Sequence, residues 1–184
     1  YHLKKFCDFS KFDLKNLDNV VEFGGGYGNM AKIFKKKINT KLNYIIFDTK
    51  EVSLLQYYYL KKSNVKVTIN KFKKKNVSLI SNLNLFESTI NNFNINDKTL
   101  FIANWSLSEV PLAFRKKLNF LINKLDYQII SYQNYFEKID NTKYFEKVRK
   151  INQKKNRFST IEKMKSKSDN YYLFSCPKAK WNSY

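Results

Sequence analysis

All four glycines of this 184-residue chain fall within five positions, in Glu22-Phe23-Gly24-Gly25-Gly26-Tyr27-Gly28. The stretch follows the apolar run Asn19-Val20-Val21-Glu22-Phe23 and precedes Met30, Ile33, Phe34 and Ile38 at helical spacing. Glycine frees backbone to adopt unusual conformations and to approach a ligand closely, so this reads as a strand-to-helix binding turn. A phosphate-binding P-loop would need Gly-Lys-Ser/Thr, which is absent, and a dinucleotide fingerprint would need glycine where Asn29 stands. The second candidate is Asp48, which ends Tyr44-Ile45-Ile46-Phe47-Asp48, twenty positions past Gly28. An acid there can accept hydrogen bonds from both ribose hydroxyls. A surface aspartate favouring a helix N-terminus is the competing reading. Asn82 and Asn84 follow the run Val77 to Ser81 and could each cap a helix. Further on, Asn104-Trp105-Ser106-Leu107-Ser108-Glu109 follows the run Thr99 to Ala103. Glu109 can serve as a general base or as a helix-start carboxylate beside Pro111.

The elements that must position these residues alternate in type. Runs ending near Phe23, Phe47, Ser81, Ala103 and Tyr132 read as five strands. Helical stripes follow each: Met30 to Ile38, Val52 to Leu60, Phe86 to Phe93, Phe114 to Leu125, and Tyr144 to Ile151, the last capped by Asn141. Arg157 to Glu162 and Tyr171 to Cys176 are two extended runs around the polar stretch Lys163 to Asn170, which predicts an antiparallel pair. Alternating strands and helices imply a parallel sheet. The expectation is an α/β, Rossmann-like, doubly wound and mostly parallel seven-stranded sheet with an antiparallel C-terminal hairpin. Residues 1–184 are expected to form one domain with a lead-in over 1–18. Asn64 to Lys75 fits an irregular connection or an extra edge strand. In such sheets ligands bind beyond the carboxyl ends of strands, where the candidate residues lie.

Composition narrows the partners. Hydrophobic residues make up 43% and aromatics 17%, enough for a packed core despite a formal net charge of +20. Lysine supplies nearly all the positive charge, and arginine occurs only at Arg115, Arg149 and Arg157. A weak polyanion or membrane-surface association through lysine is one reading, and drift toward lysine in an A/T-rich coding sequence is the other. No apolar run is long enough to span a bilayer. His2 is the only histidine, and Cys7 and Cys176 form no CxxC, so no metal site and no Ser-His-Asp triad is expected. A cytoplasmic setting is the simple expectation. The chain starts at Tyr1 rather than Met, so upstream helices belonging to the domain are expected to lie outside it.

Glu-x-Gly-x-Gly-x-Gly fits Glu22 to Gly28 without exception. In this the chain resembles class I S-adenosylmethionine-dependent methyltransferases. A narrower resemblance, to a bacterial family of sugar O-methyltransferases, covers roughly residues 19–176. It rests on Asn104-Trp105 through Ser108-Glu109, Leu54 to Leu60 after Asp48, Ile130-Ser131-Tyr132-Gln133-Asn134, and Asn170-Tyr171-Tyr172-Leu173-Phe174. Ser175-Cys176 departs from it where a glycine would be expected.

The resemblance implies S-adenosylmethionine as cofactor, bound by Glu22, Gly24, Gly25, Gly26, Tyr27, Gly28, Asp48, Asn82 and Asn104. Asn82 would meet the adenine, and Tyr27 would cover the methionine portion. It also implies a sugar or surface-glycan precursor as acceptor, with Glu109 as catalytic base and Trp105, Tyr132 and Asn134 against the substrate. Three alternatives stand beside this reading: an RNA or polyanion methyltransferase, a non-catalytic donor-binding domain, and a nicotinamide oxidoreductase.

Overall fold

The structure is a computed structural model that describes residues 1–94, 96–165 and 169–178. Its main elements in chain order are His2–Ser10 (α1), Asn19–Phe23 (β1), Asn29–Ile33 (α2), Asn43–Phe47 (β2), Lys50–Lys62 (α3), Val67–Ile69 (β3), Val77–Ile80 (β4), Leu83–Asn91 (α4) and Thr99–Asn104 (β5). They continue with Leu112–Lys117 (α5), Asn119–Lys124 (α6), Tyr127–Gln133 (β6), Tyr135–Phe136 (β7), Ile139–Asp140 (β8), Asn141–Lys154 (α7), Arg157–Lys163 (β9) and Asn170–Pro177 (β10). The chain folds as two compact units. One is Asp13–Thr99, and the other joins Tyr1–Phe12 to the chain from Leu100 onward.

The unit spanning 13–99 is built on four parallel strands in the order β3-β4-β2-β1. Val20, Val21, Tyr44, Ile45, Ile46, Leu79 and Ile80 are fully buried, the near-continuous apolar content expected of parallel strands covered on both faces. The segment 64–75 does contribute an edge strand, because Val67 to Ile69 pairs with Val77 to Leu79. Counting it, eight strands rather than seven make up the main pairings among the described residues. Thr49 caps α3 through its hydroxyl, which accepts from Val52 N, and Glu51 sits favourably in the first turn. Ser53, Gln56 and Leu60 form the buried face of that helix. α2 continues into a wide π-type turn over Phe34–Ile38 that buries Phe34 and Lys35.

In the other unit the order is β5-β6-β10-β9. β5 and β6 are parallel, whereas β10 runs antiparallel to both β6 and β9. The C-terminal hairpin is therefore present, with residues 166–168 of its connection outside the described residues. α1 covers β10: the Phe6 and Phe9 rings lie 6.1 and 5.4 Å from that of Phe174. Two expectations change here. The single helix expected over Phe114 to Leu125 divides at Leu118 into α5 and α6. The cap of α7 is Asp140, whose carboxylate accepts from Lys143 N at 3.0 Å, and Asn141 is already helical. β7 and β8 add a short hairpin that the sequence pattern does not signal. Among the described residues, no helix is long and apolar enough to cross a membrane.

One buried pair in the parallel unit titrates unusually. Glu22 on β1 is 3% exposed, and Tyr44 on β2 donates its hydroxyl to Glu22 Oε2 at 2.7 Å. Burial raises the carboxyl from its ordinary 4.5 to about 7, against the lowering effect of the Tyr44 hydrogen bond, while Asp48 adds a further raising influence. The unfolded chain releases this proton near 4.5 and the folded chain near 7, so between these pH values the folded state holds the extra proton. Glu22 is thus neutral in its effect on stability below about 4.5, increasingly destabilising as pH rises, and fully so above 7, by on the order of 3 kcal/mol. Glu22→Gln keeps an acceptor for Tyr44 and removes the titration. Denaturant unfolding at pH 4.5 and pH 8 should show the variant gaining stability relative to wild type by that amount at the higher pH. A difference independent of pH would mean that Glu22 ionises alike in both states.

Candidate functional site

The turn after β1 is held by backbone that only glycine adopts readily. Gly24, Gly26 and Gly28 have φ of 71°, 52° and 84°. Gly25 is fixed by space instead, since a Cβ there would lie 2.8 Å from Ile46 Cγ2. Registry of Phe23 with Phe47 sets the ends of β1 and β2 side by side, and Gly24 N donates to Phe47 O at 2.9 Å. The outer side of the turn is open: nothing lies within 4 Å of a Cβ placed on Gly26, and Tyr27 is 65% exposed.

Asp48 stands at the carboxyl end of β2, half-buried beside this turn. Its Oδ2 accepts from Gly25 N at 3.0 Å and from Gln56 Nε2 at 2.8 Å. Its Oδ1 accepts from Thr49 N at 2.9 Å. Burial raises the acid's pKa, while the bonds from Thr49, Gln56 and Gly25 oppose that rise by favouring the carboxylate. Gln56 also donates to the Gly26 carbonyl at 3.0 Å, and its Oε1 is buried with no hydrogen-bond partner among the described residues. Gln56 was not expected as a site residue. The available signal was an amide inside the apolar stripe of α3, at a position that proves fully buried. Glu22 lies beneath the turn in its pair with Tyr44. Asn82 is exposed and caps α4, its Oδ1 accepting from Leu85 N at 2.9 Å.

The remaining candidates belong to the other unit. Asn104 ends β5, and its Oδ1 accepts from Ser131 Oγ at 3.0 Å. Trp105 follows with φ 63° and ψ −34°, a strained conformation for a side chain of this size. It is held by its amide on the Ser131 carbonyl at 2.8 Å and by Nε1 on Asn170 Oδ1 at 2.7 Å. Glu109 is exposed at the end of the 3-10 turn Ser106–Glu109. Arg115, unexpected from sequence, secures this loop from inside. It is fully buried and donates to Val110 O, Ser108 O and Asn141 Oδ1 at 2.7–2.8 Å, with its guanidinium 4.8 Å from the Tyr144 ring centre.

Two expected substrate residues sit differently. Tyr132 is 1% exposed, stacked 4.2 Å from Phe145 and 5.5 Å from Tyr171. That is a packing position, and it gives no surface to an acceptor. Asn134 is half-buried and shapes a turn, with its amide N bonded to Asp169 O and its carbonyl to Asn141 N, both at 2.9 Å. Among the described residues, no group of three His, Cys, Asp or Glu side chains is placed to hold a metal ion.

No family model matches this chain, and no curated protein matches it in sequence. Solved structures do resemble it. An rRNA methylase from Streptococcus thermophilus superposes with a TM-score of 0.61 at 14% identity, over 96% of this chain and 97% of that one. A precorrin-6y C5,15-methyltransferase from Geobacter metallireducens gives 0.59 at 9% identity, over 95% and 84%. TrmK from M. capricolum, solved with S-adenosyl-homocysteine, gives 0.57 at 9% identity, over 97% and 68%. The chain has the fold of class I S-adenosylmethionine-dependent methyltransferases.

Proposed function

We propose that this chain is an S-adenosylmethionine-dependent methyltransferase whose donor is held by the glycine turn and Asp48. The observation that carries the reading is a carboxylate fixed at the end of β2 by Gly25 N and Gln56 Nε2, beside a turn whose outer side is open. The residues fit such a donor. Asp48 Oδ1 takes one bond, from Thr49, and keeps acceptor capacity for a ribose hydroxyl. The open side at Gly26, where nothing lies within 4 Å of a Cβ position, allows close backbone approach, and the orphaned Gln56 Oε1 is an acceptor in the same neighbourhood. Tyr27 is exposed enough to lie over the amino-acid portion. Glu22, buried below, would act on the turn from underneath, and Asn82 and Asn104 would contribute from the ends of β4 and β5. The donor, once bound, supplies a methyl group on a cationic sulfur.

The proposed acceptor is a sugar hydroxyl, following the resemblance of the later motifs. A hydroxyl attacks poorly while protonated, so a base is useful. Glu109 is the proposed base: an exposed carboxylate on a loop braced by Arg115, free to take the hydroxyl proton as the oxygen–carbon bond forms. Trp105 and Asn134 remain proposed substrate contacts, and Tyr132 does not, because it is buried. A second reading takes RNA as acceptor. It is favoured by the net charge of +20 and by the likeness to an rRNA methylase. A cytoplasmic setting accompanies either reading.

Calorimetric titration tests the donor site. S-adenosylhomocysteine should bind in the micromolar range, NAD should not, and Asp48→Ala should weaken binding about ten- to a hundredfold through loss of charge-assisted hydrogen bonds. A folded wild type that binds NAD in preference to the sulfur ligand overturns the reading. Glu109→Gln should lower turnover on the productive acceptor about a hundredfold or more, with the S-adenosylhomocysteine affinity unchanged. Unchanged turnover removes Glu109 from the role of base.

A further inference from the structure

The unit spanning 13–99 has a second concave region, at the amino ends of the strands whose carboxyl ends carry the glycine turn and Asp48. A cavity of about 790 Å³ opens there beside the first residues of β3 and β4. Seven lysines line it, and no carboxylate is among the described lining residues. Like charges gathered in a concavity repel one another and concentrate anions. Lysine drift accounts for scattered exposed cations but does not by itself clear a cavity of acids.

The segment bearing Lys73, Lys74 and Lys75 is also built to stay in place. Lys73 N donates to Ser78 Oγ at 3.1 Å, and Lys75 N to Asn43 Oδ1 at 2.8 Å. Lys75 itself is held at φ 62°, a strained conformation for a non-glycine residue. From beneath, the buried Lys35 ammonium donates to the carbonyls of Thr40, Leu42 and Lys75 at 2.6, 2.9 and 2.9 Å. All three of its protons are used, so Lys35 is a strut, and the cations of Lys36, Lys61, Lys66, Lys73, Lys74 and Lys75 remain for a partner.

A neighbouring cavity of about 440 Å³ shares Lys74 and Lys75 but has a different lining. It adds Phe72 and Phe93, whose rings lie 6.3 Å apart, and the amides of Asn92 and Asn94. Asp18 and Asp97 also face it, occupied with Lys98 N and with Asn19 Nδ2 and Asn94 N. Acids disfavour a phosphate there, whereas rings and amides suit the face and edge of a base.

We propose that these adjoining cavities bind a single-stranded nucleic acid, with its phosphates along the lysine-lined cavity and a base beside Phe72. The proposal goes beyond methyl-donor binding and stands independently of it, since its residues lie at the opposite ends of the strands.

The test is fluorescence anisotropy of the full chain with labelled twelve-nucleotide RNA and DNA of one sequence, single-stranded and duplex, across a salt series. A K73Q/K74Q/K75Q variant should bind the single strand roughly fiftyfold more weakly at about 0.15 M salt, with the log–log salt slope reduced by about 2, as for three lost phosphate contacts. A K147Q/K150Q/K154Q variant removes the same charge from exposed positions on α7 and should lose at most a few-fold. Both variants should keep the wild-type unfolding midpoint, which separates a binding loss from a folding loss. Preference for RNA or for DNA identifies which sugar the partner carries, and either supports the proposal. Equal losses in the two triple variants, duplex bound as tightly as single strand, or tighter binding to anionic phospholipid vesicles than to oligonucleotide each overturns it. So does wild-type protein that binds no oligonucleotide. Failure of S-adenosylhomocysteine to bind would bear on the donor reading alone.

Discussion

The Asp48 carboxylate ties three segments of the parallel unit together. One oxygen receives the Gly25 amide and the Gln56 side chain, and Gln56 then grips the Gly26 carbonyl. The turn after β1, the end of β2 and the middle of α3 are thereby fixed to one another. This works only because Phe23 and Phe47 are in register, which brings Gly24 N to the Phe47 carbonyl. It also requires glycine at position 25, where a side chain would collide with Ile46. A buried acid with fewer donors would shift toward its neutral form. Three hydrogen bonds from backbone and amide oppose the rise that burial causes, and so favour a carboxylate able to accept, though burial remains the larger effect.

The loop after β5 is stabilised by a different device. Trp105 occupies strained backbone, of the kind that persists only where surrounding contacts determine it. Here the determinants are the Ser131 carbonyl, Asn170 and the Ser108 hydroxyl, which donates to the Trp105 carbonyl at 2.6 Å, while the buried Arg115 holds the Ser108 carbonyl. Arg115 makes no ion pair among the described residues. Its planar fork is matched to two carbonyls and an amide oxygen, and its face to Tyr144, an arrangement a lysine could not reproduce. Glu109 owes its fixed backbone to that buried cation while its carboxylate remains at the surface.

How much of this was legible in the sequence follows from the range of each interaction. Clustered glycines and an acid ending the second apolar run depend on local backbone geometry, so their positions at the ends of β1 and β2 could be read directly. The five strand–helix alternations and the terminal hairpin were readable for the same reason. Gln56 and Arg115 were harder to read, because each joins a partner within about eight residues to one 30 or 26 residues away, and an amide or guanidinium in a helical stripe signals burial without naming its partners. Tyr132 misled in the opposite sense. Its place after the fifth strand matched a substrate contact, yet its aromatic partners Phe145 and Tyr171 come from later elements and draw it into the core. The edge strand β3 was ambiguous since only three residues pair and no helix separates it from β4.

Two buried charges mark the two ends of the parallel unit, and they are satisfied in opposite ways. Glu22, near the glycine turn, is pushed toward its neutral acid by burial, with one hydroxyl as its hydrogen-bond donor. Lys35, near the amino ends of the strands, is pulled down to about 8 by burial and donates to three backbone carbonyls. A buried cation usually enlists a carboxylate. Backbone carbonyls instead stabilise the ammonium by dipoles and leave its full positive charge in the local field. Placed under Lys73 to Lys75, Lys35 therefore adds to their potential instead of cancelling part of it. A carboxylate partner for Lys35 would instead lower the attraction for an anion. The carbonyl partners leave the Lys35 charge unpaired beside the other six lysines that line the cavity.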